Sequence, residues 1–299
     1  MEDFSKDLTV VKSNKITEAS YKLSVNEYRL ILLCLGQLEL RYDPERKDCW
    51  KQVDAHEIYE VSAKDFSNHY DLHMKEGYKV LREASENLLQ RYVRIKIKDD
   101  DDPKSYLLTN WLASCKYSPT HGKIKLRFAP DMIPFLSCIK EQFTRYRLIE
   151  IAGLKSIYGM RLYEMLTQWK KSKGVFTINT EDLRRRLQLN KGQYKLFKDF
   201  RVYCVEKGIN DINSNKNSLL QIEKVSYIKQ GRKVVSIEMH FCEKGKITSK
   251  KATSKFKEIR QNLDQKTLSN ELKKIQESLS ESKKKNTFFS EETLEIPLQ

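Results

Sequence analysis

The sequence predicts an α+β fold. Two tandem winged-helix domains, each a helix-turn-helix closed by a β-hairpin, precede a mostly flexible C-terminal tail. Three observations predict it. Periodic segments run helix, helix, helix, hairpin, and that order recurs. Val61-Ser-Ala-Lys-Asp-Phe66 repeats as Ile178-Asn-Thr-Glu-Asp-Leu183 at an offset of 117, and Leu72 falls on Leu189 at the same offset. The formal net charge of +15 over 299 residues divides unevenly, with +1 in 1–130, +11 in 131–246 and +3 in 247–299.

The first helix starts at Ser24. Its hydroxyl can cap the helix and Glu27 stands three residues on, the spacing of a capping box. Leu30, Leu33 and Leu38, with Leu23 ahead, give an apolar face to about Leu40, and Asp43-Pro44 stops it. Ile58 to Val61 reads as a short strand. Ser62 opens a helix to Tyr70, a turn covers Asp71 to Lys75, and a second helix runs from about Glu76 to Gln90 with Val80, Leu81, Ala84, Leu88 and Leu89 inward. Val93, Ile95 and Ile97 alternate with Arg94, Lys96 and Lys98, the pattern of a half-buried strand. Tyr106–Tyr117 and Lys123–Phe128 read as two more strands, joined at Ser118-Pro-Thr-His-Gly122.

In the second half, segments 131–139, 143–151 and 154–170 read as helices. Phe176 to Ile178 is a short strand, and Asn179 or Thr180 caps a helix to about Leu187. A turn over Gln188 to Gly192 leads to a longer helix from about Tyr194 to Asn210. Its cations point outward, and Phe197, Val202 and Val205 point to a core. Leu219–Ile228 and Lys233–Phe241 form a hairpin turned at Gly231. One deletion after Leu189, Tyr78-Lys79 falls on Tyr194-Lys195. From about Ile247 the chain is polar, with a short heptad-like stripe at Leu268, Leu272, Ile275 and Leu279, and Phe288-Phe289 near its end. The expected domains are therefore 1–130, 131–246 and the tail 247–299.

Composition narrows the function. No apolar run approaches the roughly 20 residues of a membrane span, and the acidic start Met1-Glu2-Asp3 has no signal-peptide core. Six scattered cysteines without Cys-x-x-Cys read as reduced thiols of a cytoplasmic protein. No Gly-x-x-x-x-Gly-Lys-Ser/Thr, Gly-x-Gly-x-x-Gly or His-x-His is present. His69 and His73 are four apart but lack a third ligand, and Asp99 to Asp102 form one solvated acidic turn. No catalytic residue, metal or cofactor is expected.

The candidate site is a DNA-binding one. In a helix-turn-helix the second helix enters the major groove. In the second domain that helix carries Tyr194, Lys195, Lys198 and Arg201, with Arg201 the candidate base reader, since arginine pairs bidentately with guanine. Arg184, Arg185 and Arg186 in the preceding helix, and Lys229, Arg232 and Lys233 at the hairpin tip, are candidate backbone contacts. In the first domain Lys75, Tyr78, Lys79 and Arg82 hold the corresponding positions. Interleaved Glu76, Glu83 and Glu86 make that helix the weaker binder.

Val10-Val-Lys-Ser-Asn-Lys-Ile-Thr-Glu-Ala-Ser-Tyr-Lys-Leu-Ser24, running into Glu27-Tyr-Arg-Leu-Ile-Leu32, resembles the opening of plasmid replication initiators of the Rep_3 type. So do Gly159-Met-Arg-Leu-Tyr-Glu-Met-Leu166, Phe200-Arg-Val202, Ile209-Asn-Asp-Ile-Asn213 and Gly231-Arg-Lys-Val-Val235. The likeness covers about 8–242. It implies two winged helices binding double-stranded origin repeats (iterons) as a monomer, with the second domain making the main DNA contacts. It implies a homodimer, formed largely through the first domain, that represses the protein's own gene. It also implies origin opening and recruitment of host initiator and helicase. The family often carries a Lys/Arg pair after the aromatic of the recognition helix; here Arg201-Val202 stands in its place. A stand-alone repressor, or a DNA nickase or recombinase, are the alternative readings.

Overall fold

In the computed structural model the described residues are 8–39, 56–97, 102, 104–136, 142–170, 172 and 174–244. The tail 245–299, with its heptad-like stripe and Phe288-Phe289, lies outside them, as do Asp43-Pro44 and Asp99 to Asp101.

The chain opens with strand β1 (Thr9–Ser13), a one-turn helix α1 (Asn14–Thr17) and a two-residue strand β2 (Ser20–Tyr21). Helix α2 (Val25–Glu39) follows, and its capping box forms as the sequence predicts. The Glu27 backbone N–H donates to Ser24 Oγ (3.2 Å), and the Ser24 backbone N–H donates to Glu27 Oε2 (3.0 Å). Glu27 also takes two hydrogen bonds from Arg91, at 2.9 and 3.0 Å, so one carboxylate ties the helix start to the β-sheet.

The first winged helix then unfolds in order: β3 (Tyr59–Ser62), α3 (Ala63–Tyr70), α4 (Met74–Leu88), β4 (Tyr92–Lys96), β5 (Tyr106–Asn110), β6 (Leu112–Ser118) and β7 (Lys123–Phe128). The single strand expected over Tyr106–Tyr117 is two. Trp111, fully buried, breaks it. Its N–H donates to the Arg91 carbonyl and its own carbonyl accepts from Ala129, both at 3.1 Å, so its backbone serves two different sheets. β5 pairs with β4 in the sheet β2-β4-β5, while β6 pairs with β7 in the sheet β3-β7-β6. Leu89, expected inward, is exposed because α4 ends at Leu88.

A second correction lies at 143–151, expected as one helix. After α5 (Ile133–Leu136), residues Phe143–Arg147 form β8, antiparallel to β1 with Val10 opposite Tyr146, and only Leu148–Ala152 is helical (α6). Phe143-Thr-Arg-Tyr-Arg alternates exposed and buried side chains, a period of two that β1 completes with hydrogen bonds. The N-terminal strand thus pairs beyond residue 130.

Helix α7 (Ile157–Gln168) starts at Ser156, whose hydroxyl accepts from the Tyr158 N–H (3.2 Å), and it is buried along nearly its whole length. Three of its buried residues are polar or charged. Lys12 Nζ lies 2.6 Å from Glu164 Oε1, the Tyr28 and Tyr146 hydroxyls donate to Glu164, and Arg161 donates to the Tyr21 hydroxyl and the Ala19 carbonyl (2.8 Å). Buried charges persist only when paired in this way. Burial, countered by Glu164, brings the Lys12 ammonium down to about 8.

The second winged helix repeats the first: β9 (Val175–Asn179), α8 (Thr180–Arg186), then a long helix and the hairpin β10 (Leu220–Gln230) and β11 (Lys233–Glu243). β9 pairs with β11 as β3 pairs with β7, each strand order placing the leading strand beside the second hairpin strand. The offset of 117 reaches the backbone. Asp71 and Gln188 both take left-handed φ (52° and 46°). The next N–H folds back in both, Leu72 to the Ser67 carbonyl (3.0 Å) and Leu189 to the Arg184 carbonyl (3.2 Å).

Candidate nucleic-acid interface

The two helix-turn-helix units part company after that shared turn. In the first, α4 starts two residues beyond Leu72, with His73 as its N-cap. In the second, eight residues separate Gln188 from the next helix, and Gly192 (φ +86°) and Tyr194 (φ +51°) bend the chain. Arg184 holds this long turn. Its guanidinium donates to the Gln193 (3.3 Å) and Tyr194 (2.8 Å) carbonyls and stacks over the Phe200 ring at 4.2 Å.

The groove helix therefore starts at Phe197, and the expected start at Tyr194 is corrected. Helix α9 (Phe197–Phe200) runs into a π-helical turn over Arg201–Glu206 and then α10 (Lys207–Ser214). The wider turn changes which residues face inward. Phe200, Cys204 and Val205 are buried and Phe197 is half-buried, whereas Val202, expected inward, is exposed. Aligned on the helix starts, Lys75 matches Lys198, and the pairing of Tyr78-Lys79 with Tyr194-Lys195 does not hold. Gly208 lets α10 press onto α7, since an added Cβ would meet Leu162 Cδ1 at 2.7 Å and α7 backbone near 3.1 Å.

The candidate cations sort into two groups. Lys198 is exposed in the first turn of the groove helix; Lys195, expected on the helix, is exposed in the turn before it, as is Lys191, which no pattern in the sequence marks. Lys229, Arg232 and Lys233 are exposed at the wing tip, where Gly231 takes φ +60°. Lys233 lies 3.5 Å from the equally exposed Glu181. The other group is engaged within the protein. Arg185 and Arg186 both bind Asp182, at 2.6 and 2.8 Å. Against the cost of its burial, these guanidiniums hold the Asp182 carboxyl below the usual carboxylate range. Arg201 lies 3.2 Å from Glu206, with its guanidinium 5.9 Å over the Tyr227 ring of β10.

Wing and helix are fixed to one another. Phe197 packs edge-on against Tyr227 at 5.5 Å, joining the start of the groove helix to the hairpin. Between α8, the turn and the wing lies a cleft of about 700 Å³ lined by Lys191, Lys195, Leu196, Arg232 and Lys233 among others. It is concave, and apart from Glu181 its charged side chains are all cationic, the form and charge that a phosphate backbone fits. Tyr194 stacks on Tyr203 at 5.6 Å, so Tyr194 shapes the turn while Tyr203 stays exposed.

The first domain's candidates sit on α4. Lys75, Lys79 and Arg82 are exposed, Lys79 and Arg82 lying 3.9 and 3.5 Å from Glu83 and Glu86. Tyr78 lies against Gly122 of the first wing and stays 40% exposed. His69 and His73 serve the backbone. His69 Nδ1 lies 2.8 Å from the Asp65 carbonyl, and His73 caps α4. Asp102 accepts from the Lys104 N–H (2.9 Å). Among the described residues no group of three His, Cys, Asp or Glu side chains is placed to hold a metal, and no helix is long and apolar enough to cross a membrane.

Comparison with known proteins accords with this architecture. The family model described as Initiator Replication protein, WH1, matches residues 9–167, and that described as Initiator Rep protein, WH2, matches 179–241. A replication initiation protein of Escherichia coli is 26% identical over 223 residues, which are 73% of this chain and 66% of that protein's own length. An uncharacterized 27.6 kDa protein of Escherichia coli is 25% identical over 209 residues, 70% of this chain and 86% of that one. The crystal structure of the Pi initiator protein in complex with iteron DNA is similar at a TM-score of 0.62 and 19% identity, over 80% of this chain and 99% of that chain. At that identity the likeness is one of fold.

Proposed function

The chain belongs to the replication-initiator family defined by these WH1 and WH2 modules, and from that premise we propose that it initiates plasmid replication by binding directly repeated double-stranded origin DNA. The observation that carries this reading is the single cationic surface formed by the turn, the front of the groove helix and the wing. In this mechanism Lys195 and Lys198 enter with the helix and neutralise phosphates, while Lys229, Arg232 and Lys233 hold the flanking backbone. Arg201 is the base reader. Its pairing with Glu206 is half-buried, with the two side chains 39% and 43% exposed, and yields to a guanine edge. Arg184, Arg185 and Arg186 act indirectly, by holding the turn and α8 in place. The DNA-bound Pi structure supports the reading through its shared fold.

The protein acts by binding, with no catalytic step of its own. Several copies along the repeats strain the adjacent duplex, which opens the origin and presents a surface to host initiator and helicase. The first domain, nearly neutral by sequence, adds weaker DNA contact through Lys75, Lys79 and Arg82 and serves assembly, including a homodimer that represses the gene. The site of action is the cytoplasm, where the plasmid is.

Nuclease footprinting on the DNA flanking the gene tests this. The expected pattern is protection repeated at the spacing of direct repeats, about one or two helical turns. No protection, or a nick in supercoiled plasmid that depends on a tyrosine, would contradict it.

A further inference from the structure

Leu196 is 65% exposed, more than any other large apolar side chain among the described residues. Neither of the ordinary reasons for a leucine applies to it. It is not core, and although it is the N-cap of α9 it has no side-chain oxygen with which to cap. It lines the cleft beside Lys195, Arg232 and Lys233, so an apolar side chain stands in the middle of a cationic surface at the leading tip of the groove helix. Water is a poor neighbour for it. On the floor of a major groove only one base group is apolar, the C5-methyl of thymine.

We propose that Leu196 determines sequence specificity by packing on a thymine C5-methyl in the bound repeat. This rests on the proposed function above, with phosphate-binding lysines on either side delivering the side chain to the base edge. The contact differs in kind from that of Arg201, which reads hydrogen-bond acceptors.

The test uses the full chain and duplexes carrying the footprinted repeat, in which each thymine is replaced in turn by deoxyuridine. That change removes the methyl and keeps the pairing. Wild-type protein should lose about three- to fivefold in affinity at one or two positions, the weight of one buried carbon group. Leu196→Ala should bind the parent duplex with a similar loss and show no further loss at those positions. Leu196→Met, which keeps apolar length, should retain the sensitivity. Thermal unfolding of both variants should match wild type, because the side chain is exposed. Equal affinity of wild type for all the deoxyuridine duplexes overturns the proposal, as does undiminished sensitivity in Leu196→Ala. A wild-type protein that does not prefer the repeat over an unrelated duplex overturns the proposed function itself, and this contact with it.

Discussion

Lys12, Glu164 and Arg161 place charge where a core of this size would ordinarily hold leucine. Glu164 is completely buried and is served by Lys12, Tyr28, Tyr146 and Arg161 together. Such a group destabilises strongly when one partner is removed, because the remaining charge keeps its desolvation cost and loses its compensation. Lys12→Ala should therefore lower unfolding free energy by about 3–5 kcal/mol. Urea denaturation followed by circular dichroism measures this, and a change under 1 kcal/mol would show that the other three partners suffice. None of this was visible from sequence. Lys12, in the stretch that resembles the family, has no special spacing, and its partner lies 152 positions away. The three arginines at 184–186 show the same limit. Three consecutive residues cannot all face one phosphate strand, and the sequence leaves at least one to solvent or an acid; Asp182, two residues before the run, pairs with Arg185 and Arg186, and Arg184 holds the turn.

Elements were legible where a local rule fixes them. Caps at Ser24, Ser62 and Asn179, the Gly231 turn and the alternation of the wing strands were all plain, and each depends on residues within a few positions. Elements set by distant partners were not. β1 and β8 are strands because each supplies the other's hydrogen bonds, and β5 and β6 part at Trp111 because its ring fills the core. For the groove helix, the sequence pattern places the start three residues early, at Tyr194 instead of Phe197. Its lysines suit a helix anywhere, and the π-helical turn that exposes Val202 has no signature in the pattern. The same helix depends on close approach to α7 at Gly208. Gly208→Ala should cost about 1–3 kcal/mol by overpacking, because α7 backbone atoms near 3.1 and 3.2 Å have little room to give. A shift in the thermal midpoint checks this; an unchanged midpoint would mean that the helices separate freely.

The two modules are joined by α7 and by polar contacts at the end of α8. Arg161 reaches from the Ala19 carbonyl to the Arg186 carbonyl (3.3 Å), and Ser20 Oγ donates to the Arg185 carbonyl (2.6 Å). The N-terminal segment thus braces the helix-turn-helix of the second module, and that module's cationic surface inherits its orientation from the first. The charge asymmetry read from sequence acquires a place in this arrangement, since the second module's exposed cations gather at the turn, the helix front and the wing. Residues 245–299 carry part of the remaining excess. Truncation at Lys244 should leave repeat affinity within about twofold, because the proposed phosphate-binding residues lie before it. A loss beyond tenfold in an equilibrium binding assay would place the tail in the interface.

The proposed function requires Lys195 and Lys198 to neutralise DNA phosphates. Affinity for a repeat duplex across a salt series tests it most directly, comparing wild type with Lys195→Ala/Lys198→Ala. Weaker binding is expected, with a salt slope shallower by about two units, close to one for each phosphate that no longer has its lysine. Unchanged affinity with an unchanged slope would contradict it.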